Sequence, residues 1–291
     1  ESGRSRIKYL LNFYKLIFKL RNKYDTVFVH MNPEYVVLGG MFWKLMNKKI
    51  ALWYTHREVD LKLRVAEKFA DNIFTASKES FRLKSSKLQV MGHGIDLSKF
   101  GSPEYIPHSD SIKILAVGRI TKIKHLEGAI KAVSLLNNSW NRKVSLRIVG
   151  ETNTTEDKIY KKKLEKLVET QNVSDAVEFV GSVSGQNLVR EYSVSDVSLN
   201  LVPTGGVDKA VLEAMACGRI VLSSNIAFKE YFGQYTNDLL LKDYEAESVA
   251  SAIKNIFERN DFIELTKYLK HTAGENSDIK VLIKKIAQEL K

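Results

Sequence analysis

The chain alternates between short runs of Val, Ile, Leu and Phe and longer stretches in which apolar residues recur every three or four positions. The short runs predict buried β-strands, and the longer stretches predict helices with one apolar face. Strands are predicted at 26–30, 50–55, 72–76, 88–91, 112–117, 144–149, 177–180, 197–202, 220–223 and 239–241. Helices are predicted at 34–46, 58–70, 78–83, 125–137, 157–171, 186–193, 207–217 and 245–258.

Strands that alternate with helices indicate parallel sheets covered by helices on both faces, which is an α/β fold. The alternation breaks at Gly101–Asp110, which contains Pro103 and Pro107, so we predict two Rossmann-like domains at residues 1–105 and 106–291. The first domain opens with a helix and offers four predicted strands against six in the second. Because such domains usually open with a strand, we expect the first domain to lack one or two strands that belong before residue 1.

The composition fits a folded protein and narrows its class. Of the 291 residues, 44% are hydrophobic and 27% are charged, with only 4 prolines, which excludes disordered and collagen-like chains. The single cysteine, Cys217, excludes a disulfide framework and a cysteine-based zinc cage. No apolar run approaches the roughly 18 residues that a membrane-spanning helix needs.

Positive charge is concentrated in the first part of the chain. The net charge is +11, and residues 1–105 hold 19 Lys and Arg against 10 Asp and Glu, whereas the remainder holds 26 against 24. This imbalance favours an anionic partner, such as a membrane surface or a phosphorylated substrate. Nucleic acid is disfavoured, because the basic residues lack the interleaved aromatic side chains of a stacking platform.

Residues 1–24 carry the strongest basic bias, and their apolar positions follow helical spacing. These positions are Ile7, Leu10, Leu11, Tyr14, Ile17 and Phe18. One interpretation is a helix that lies on an anionic membrane surface. The other, which is commoner for amphipathic helices, is a helix that packs its apolar stripe on a sheet. The sequence leaves both open.

Residues that directly follow predicted strands are candidates for ligand binding, because open α/β sheets bind ligands beyond the carboxyl ends of their strands. Gly118, Arg119 and Lys124 directly follow the strand at 112–117. A glycine and cations at the entry of a helix predict an anion site, most naturally for a phosphate or diphosphate. Charge alone leaves phosphate binding and an ordinary basic surface loop equally open.

A second candidate segment runs from Pro203 to Gly218. Thr204, Gly205 and Gly206 form a loop whose amide groups can approach a phosphate closely. Glu213 is the only charged residue in the apolar run 210–217, so its carboxylate needs donors, which the hydroxyls of a sugar diol would supply. The alternative is an ordinary helical pair with Lys209, four residues earlier.

His30 and His56 fall at strand ends in the first domain, so each is a candidate cleft residue, as is the more ambiguous His93 in a turn. The chain lacks G-x-G-x-x-G and G-x-x-x-x-G-K-[ST], which argues against a dinucleotide dehydrogenase and a P-loop NTPase. It also lacks a G-x-S-x-G elbow, a D-x-D pair and a clustered set of metal ligands. We therefore predict no metal ion and no cofactor.

Four motifs occur in a fixed order: Gly118-Arg119-Ile120-Thr121-Lys122-Ile123-Lys124, Leu146-Arg147-Ile148-Val149-Gly150, Val177-Glu178-Phe179-Val180-Gly181 and Leu212-Glu213-Ala214-Met215-Ala216-Cys217-Gly218. Together they resemble the C-terminal domain of the retaining GT-B glycosyltransferases called glycosyl transferases group 1. His93-Gly94-Ile95-Asp96 followed by Phe100 resembles the turn before their interdomain crossing. The resemblance extends over essentially the whole chain.

The resemblance implies two Rossmann-like domains that face a cleft, and a nucleotide-diphosphate sugar donor used without a metal ion. It implies that Arg119 and Lys124 grip the diphosphate and that Glu213 holds the ribose hydroxyls. It implies that the loop Gly181-Ser182-Val183 lies against the base. It also makes His56 the best match for a histidine near the donor sugar.

One departure concerns the transferred sugar. The family often has a second glutamate eight residues before the one matched by Glu213, and that position here is Gly205. Contacts to the sugar must then come from backbone amides, Asp208 or Lys209.

The resemblance implies a retaining glycosyltransferase of polysaccharide biosynthesis that acts on a glycan or a lipid-linked acceptor. We expect it in the cytoplasm, either free or peripheral on the inner membrane face. The alternative is a nucleotide-sugar binding module with little or no transferase activity.

Overall fold

The computed structural model describes residues 6–101 and 111–290. It divides into two compact units, one formed by residues 1–92 and 282–291 and the other by residues 93–281. The predicted break at 101–110 and the predicted boundary at 105/106 fall almost wholly outside the described residues. The structure groups the end of the chain with the first unit, which the sequence did not indicate. There Lys49 Nζ donates to the Glu289 carbonyl at 2.8 Å, and Thr26 Oγ1 donates to the Leu290 carbonyl at 3.3 Å.

The first unit is built on a parallel four-stranded sheet in the order β1-β2-β3-β4. Its strands are β1 (Thr26–His30), β2 (Lys49–Trp53), β3 (Asn72–Thr75) and β4 (Leu88–Val90), with helices α1 (Arg6–Leu20), α2 (Pro33–Leu45) and α3 (Leu61–Phe69). Ile50, Leu52 and Ile73 are fully buried in its core. Continuous apolar runs therefore became buried parallel strands, as predicted.

The apolar stripe of α1 is divided between the core and the surface. Ile17 is buried, and the Tyr14 hydroxyl donates to the Leu38 carbonyl of α2 at 3.2 Å. Ile7 and Leu11, however, expose 69% and 65% of their surface. The packing interpretation thus describes one part of the helix, and the membrane interpretation stays a prediction. Among the described residues, no helix has the length and apolarity that crossing a bilayer requires.

The second unit is built on a parallel five-stranded sheet in the order β7-β6-β5-β8-β9. Its strands are β5 (Ser111–Val117), β6 (Lys143–Val149), β7 (Val177–Gly181), β8 (Val197–Asn200) and β9 (Ile220–Ser223). Its longer helices are α5 (Leu126–Ser139), α6 (Thr155–Thr170), α7 (Gln186–Val194), α8 (Lys209–Ala216), α11 (Ala246–Phe257) and α12 (Phe262–Ser277). The short helices are α4 (Leu97–Phe100), α9 (Lys229–Phe232) and α10 (Thr236–Leu239). Helix α13 (Ile279–Glu289) starts at the end of the second unit and belongs to the first unit from Leu282 onward.

Two predicted elements are wrong. The predicted strand at 239–241 is absent because α10 extends to Leu239, and Leu240 makes only one isolated bridge to Ser223. The predicted helix at 78–83 is a single 3₁₀ turn, Lys78–Ser80. It stops there because Phe81 adopts an extended backbone that buries its ring.

Three glycines end the adjacent strands β5, β6 and β7 and allow their carboxyl ends to approach closely. Gly118, Gly150 and Gly181 have φ values of 142°, 148° and 84°, a region that favours glycine. The Gly118 amide donates to the Val149 carbonyl at 2.9 Å, and the Gly150 amide donates to the Gly181 carbonyl at 2.8 Å. A Cβ on Gly150 would lie 1.9 Å from the Gly118 carbonyl oxygen. This edge of the sheet is therefore sterically fixed.

The Gly150→Ala variant tests this constraint. The new methyl group would collide with backbone and would require a strained φ, so we expect the free energy of unfolding to fall by at least about 3 kcal/mol. Thermal or urea unfolding measures it. The matched control is Gly274→Ala in α12, where a Cβ meets no atom within 4 Å and stability should stay or rise by up to about 1 kcal/mol. Equal stability of Gly150→Ala and wild type would contradict the account.

Candidate functional site

The predicted anion site lies at the carboxyl end of β5. Gly118 follows the strand directly, and Arg119 next to it is exposed. The chain then turns through a 3₁₀ turn at Lys122–Lys124 into α5. The Lys124 side chain folds back over Gly118, where a Cβ would lie 2.9 Å from its Nζ. The absence of a side chain at Gly118 is thus what admits the ammonium to this position.

Asp208 forms an ion pair with the Lys124 ammonium. Its Oδ2 accepts from Lys124 Nζ at 2.8 Å and from Asn200 Nδ2 at 3.0 Å, while its Oδ1 accepts from the Ala210 amide at 3.2 Å and caps α8. Burial by itself raises the pKa of Asp208, but these partners outweigh burial and hold the pKa below its ordinary value. Asp208 is therefore a fixed anion within a polar cluster.

A chain of polar side chains continues from Asp208 to the glycine loop. Ser223 Oγ donates to Asn200 Oδ1 at 3.3 Å, and Ser223 Oγ accepts from the Asn225 amide at 3.1 Å. Asn225 Nδ2 donates to the Gly206 carbonyl at 3.1 Å. All three side chains are buried at the ends of β8 and β9. Sequence reasoning missed Asn200 because the predicted strand ran on to residue 202, whereas β8 ends at Asn200; the signal was a polar residue within an apolar strand.

Glu213 lies in the middle of α8, and Tyr192 of α7 is its hydrogen-bond partner. The Tyr192 hydroxyl donates to Glu213 Oε2 at 3.0 Å. Burial raises the pKa of Glu213 above its ordinary value, although the bond from Tyr192 and the charge of Lys209 oppose the rise. Lys209 is exposed and forms no ion pair with Glu213 in the described part of the chain. The alternative of a plain Lys209–Glu213 pair is therefore not what the structure contains.

The predicted base-binding loop begins at Gly181, the last residue of β7. Ser182 and Val183 line a groove of about 1040 Å³ whose other lining includes Arg147, Asn187 and Arg190. Arg147 within the groove is held by Glu191, which accepts from its Nε at 2.8 Å. The loop is thus accessible from this groove, and its role in binding a base stays a prediction.

His56 belongs to the first unit and follows β2, as the sequence predicted. Its side chain is exposed, and its Nδ1 accepts from the Glu58 amide at 3.2 Å. His30 ends β1 with its ring stacked on Trp53 at a centroid distance of 6.4 Å. Within residues 6–101 and 111–290, no three His, Cys, Asp or Glu side chains cluster closely enough to hold a metal ion.

The structure brings most of the predicted residues of the second unit to one edge of its sheet. Lys124 contacts Gly118 and Asp208, and the polar chain links Asp208 to Gly206. Glu213 lies on the helix that Asp208 caps. Thr204 and Gly205 precede Gly206 in the same loop, and Gly205 has a φ of 149°. The arrangement offers a cation, loop amides and a partly buried carboxylate, which together can bind a polar anionic ligand.

Comparison with known proteins gives a family. A family model described as glycosyl transferases group 1 matches residues 102–276, which is more than half of the chain. A curated relative, the glycosyltransferase MJ1069 of Methanocaldococcus jannaschii, is 25% identical over an alignment of 303 positions, which covers 92% of this chain and 73% of the relative.

Solved structures share the fold. HepE of Anabaena in complex with UDP has a TM-score of 0.82 and 16% identity, over 99% of this chain and 84% of that chain. HepE has also been solved with UDP-glucose, with a TM-score of 0.77. Sucrose-phosphate synthase of Thermosynechococcus elongatus has a TM-score of 0.73 and 20% identity, over 98% of this chain and 79% of that chain. The α/β fold with parallel sheets predicted from the sequence is thereby confirmed as that of GT-B glycosyltransferases.

The ion pair of Asp208 predicts a specific pH dependence of stability. Because the pKa of Asp208 in the folded state lies below the unfolded value of about 3.9, its contribution is complete above that value and is lost as the pH falls through the folded-state pKa. Asp208→Asn keeps a capping oxygen but removes the charge, so we expect a loss of about 1–3 kcal/mol at pH 7. Urea titrations at several pH values should show this loss shrinking toward pH 3.

The matched control is Asp175→Asn, which removes the charge of an exposed aspartate in the same unit. Its stability should stay within about 0.5 kcal/mol of wild type throughout. A loss in Asp208→Asn that is the same at pH 7 and pH 3 would mean that the ion pair does not stabilise the fold.

Proposed function

Because the chain belongs to the glycosyl transferases group 1 family, we propose that it moves a sugar, with retention, from a nucleotide-diphosphate sugar to a glycan or a lipid-linked acceptor. The coarser activity follows from the family: the protein is a glycosyltransferase. The single observation that carries the finer proposal is the Lys124 ammonium, held over Gly118 and beside Asp208 at the carboxyl end of β5.

The diphosphate of the donor would bind at Lys124 and Arg119. Lys124 is held in place, and Arg119 is exposed at the same strand end. When the bond from the sugar to the diphosphate breaks, negative charge grows on the leaving diphosphate. Fixed cations aimed at that charge bind the transition state more tightly than the ground state, and one such donor contributes roughly 3 kcal/mol. In this proposal Lys124 and Arg119 stabilise the negative charge of the leaving diphosphate, which a divalent metal ion does in other enzymes.

The nucleoside would bind at Glu213 and the loop after β7. A carboxylate accepts hydrogen bonds from both hydroxyls of a ribose diol. Glu213 is partly buried on α8; burial raises its pKa, and the Tyr192 hydrogen bond and the charge of Lys209 oppose that rise. Gly181, Ser182 and Val183 would lie against the base. One solved neighbour, HepE, has been solved with UDP and with UDP-glucose, which supports a nucleotide sugar as donor and makes uracil the first base to test.

The transferred sugar would meet the amides of Thr204, Gly205 and Gly206. Asp208, a sequence candidate for this contact, already engages Lys124, Asn200 and the Ala210 amide, so the loop amides are the better candidates. Lys209 is exposed and remains a candidate. We assign His56 to the donor sugar on the family resemblance and on its place after β2.

A membrane-linked acceptor is the finer part of the acceptor proposal. The exposed Ile7, Leu11 and Phe18 of α1 accompany the exposed lysines Lys8 and Lys15. An apolar edge beside basic residues suits the anionic surface of a membrane. On this proposal the protein is peripheral at the inner membrane face and acts in polysaccharide biosynthesis.

A second candidate function is a nucleotide-sugar binding module with little or no transferase activity. Gly205, at the position where the family often has a glutamate for the sugar, favours it. Both functions predict binding of the donor, but only a transferase breaks its glycosidic bond.

Slow hydrolysis of UDP-glucose separates the two candidates. With water in place of the acceptor, the bond between the anomeric carbon and the diphosphate breaks, and UDP and glucose are released. We expect proton NMR to show UDP together with α-glucose first, because a retaining enzyme preserves the configuration of the donor. Early β-glucose would contradict retention. Binding of UDP-glucose without release of UDP, even with a lysate glycan fraction as acceptor, would favour the binding module.

Substitution of the two cations tests the anion site. Arg119→Ala and Lys124→Ala should each weaken UDP binding about tenfold or more, which is the scale of a lost charged hydrogen bond. Calorimetry measures the affinity. The charge-matched control is Lys143→Ala, at the exposed amino end of β6, which should leave the affinity within about twofold of wild type. Unchanged affinity in both test variants would exclude this site.

A further inference from the structure

Tyr192 is a fully buried tyrosine that neither the sequence motifs nor the family match draws attention to. Its side chain is 0% exposed. Its hydroxyl lies 3.0 Å from Glu213 Oε2 and 3.2 Å from the Ala210 carbonyl oxygen. A hydroxyl has one proton to donate, and a carboxylate forms the stronger, charge-assisted bond. The Tyr192 hydroxyl therefore donates its hydrogen bond to Glu213.

We propose that Tyr192 is a positioning residue for nucleotide binding: its hydroxyl occupies Oε2 of Glu213 and turns the other carboxylate oxygen, Oε1, toward the ribose of the donor. This inference rests on the proposed function. It adds a residue from a different helix, α7, to the site on α8.

The ring of Tyr192 is held firmly enough to act in this way. It packs edge-on against Phe100 of α4 with a centroid distance of 6.0 Å and an interplanar angle of 76°. Burial, and then the charge of Glu213, raise the pKa of Tyr192 well above its ordinary value, so the hydroxyl stays protonated and remains a donor. A donor fixed on a rigid element restricts the rotamers of its acceptor, which is what precise binding of a diol requires.

The hydrogen bond from Tyr192 also lowers the pKa of Glu213, against the effect of burial, and so favours the charged form of the carboxylate. The ionisable groups that act on Glu213 are Tyr192 of α7 and, at the start of its own helix, Lys209 and Asp208. Burial raises the pKa of Glu213, the Tyr192 hydrogen bond and Lys209 lower it, and Asp208 raises it. Asp208 is itself paired with Lys124. Removal of the Tyr192 hydroxyl therefore raises the pKa of Glu213 further, and a protonated carboxyl is a poorer acceptor for ribose hydroxyls.

The test is a comparison of wild type with Tyr192→Phe, which keeps the buried ring and removes only the hydroxyl. Calorimetry measures the affinity for UDP and for 2′,3′-dideoxy-UDP, which retains the base and the diphosphate but lacks both ribose hydroxyls. We expect Tyr192→Phe to weaken UDP binding about tenfold at pH 7 and to leave binding of the dideoxy nucleotide within about twofold. The loss for UDP should be larger at pH 6 than at pH 8.5, because a higher pKa protonates more of Glu213 at low pH.

If Tyr192 only stabilised the fold, Tyr192→Phe would change the affinities for the two nucleotides equally, and the loss of UDP affinity would not depend on pH. The control variant is Tyr231→Phe, a partly buried tyrosine of α9 in the same unit, which should leave both affinities unchanged. Carbon NMR of the labelled Glu213 carboxyl provides a readout without nucleotide, and its titration midpoint should be higher in Tyr192→Phe than in wild type.

Failure of this inference is distinct from failure of the proposed function. If wild type binds none of UDP, ADP and GDP, the proposed function fails. If wild type binds one of them and Tyr192→Phe keeps the same affinity, ribose preference and pH dependence, Tyr192 is not a positioning residue. Should another base bind best, the same comparison is made with that nucleotide and its dideoxy form.

Discussion

The close packing of backbone at the carboxyl ends of β5 and β6 is the constraint on which the rest of the site depends. Gly118 and Gly150 lie so close that a Cβ on Gly150 would fall 1.9 Å from the Gly118 carbonyl oxygen. The same absence of a side chain at Gly118 lets the Lys124 ammonium settle against the backbone. A side chain at position 150 would collide with the Gly118 backbone and separate the strand ends, and a side chain at position 118 would displace the Lys124 ammonium. Glycine at positions 118 and 150 therefore leaves the space that the Lys124 ammonium and the neighbouring backbone occupy.

The charge of Lys124 is balanced by that of Asp208. A partly buried ammonium without an anion is costly, and Asp208 meets that need from the start of α8. Asn200, Ser223 and Asn225 then carry hydrogen bonds from Asp208 to the glycine loop at Gly206. A satisfied buried network of this kind makes its members rigid. The cation and the loop amides are therefore oriented before any ligand arrives, which is the form of preorganisation that favours a developing negative charge.

How much the sequence predicts depends on the range of the interaction. Apolar runs predict the nine strands found within residues 6–101 and 111–290, because burial on both faces of a parallel sheet depends on local composition. Once the strands are located from local composition, the rule that ligands bind beyond their carboxyl ends points to the segments that contain Lys124 and Glu213. The predicted strand at 239–241 fails because local apolarity does not tell a strand from a buried helix end. The pairs Lys124–Asp208 and Tyr192–Glu213 join residues 84 and 21 positions apart, and no local pattern encodes which distant side chain meets which.

The most direct test of the central claim is a crystal structure of the protein with UDP. The account predicts that the diphosphate oxygens lie within hydrogen-bond distance of Lys124 and Arg119, and that the ribose hydroxyls lie against Glu213. A nucleotide bound elsewhere, for example along the groove lined by Arg147 and Arg190, with Lys124 still paired only to Asp208, would contradict it.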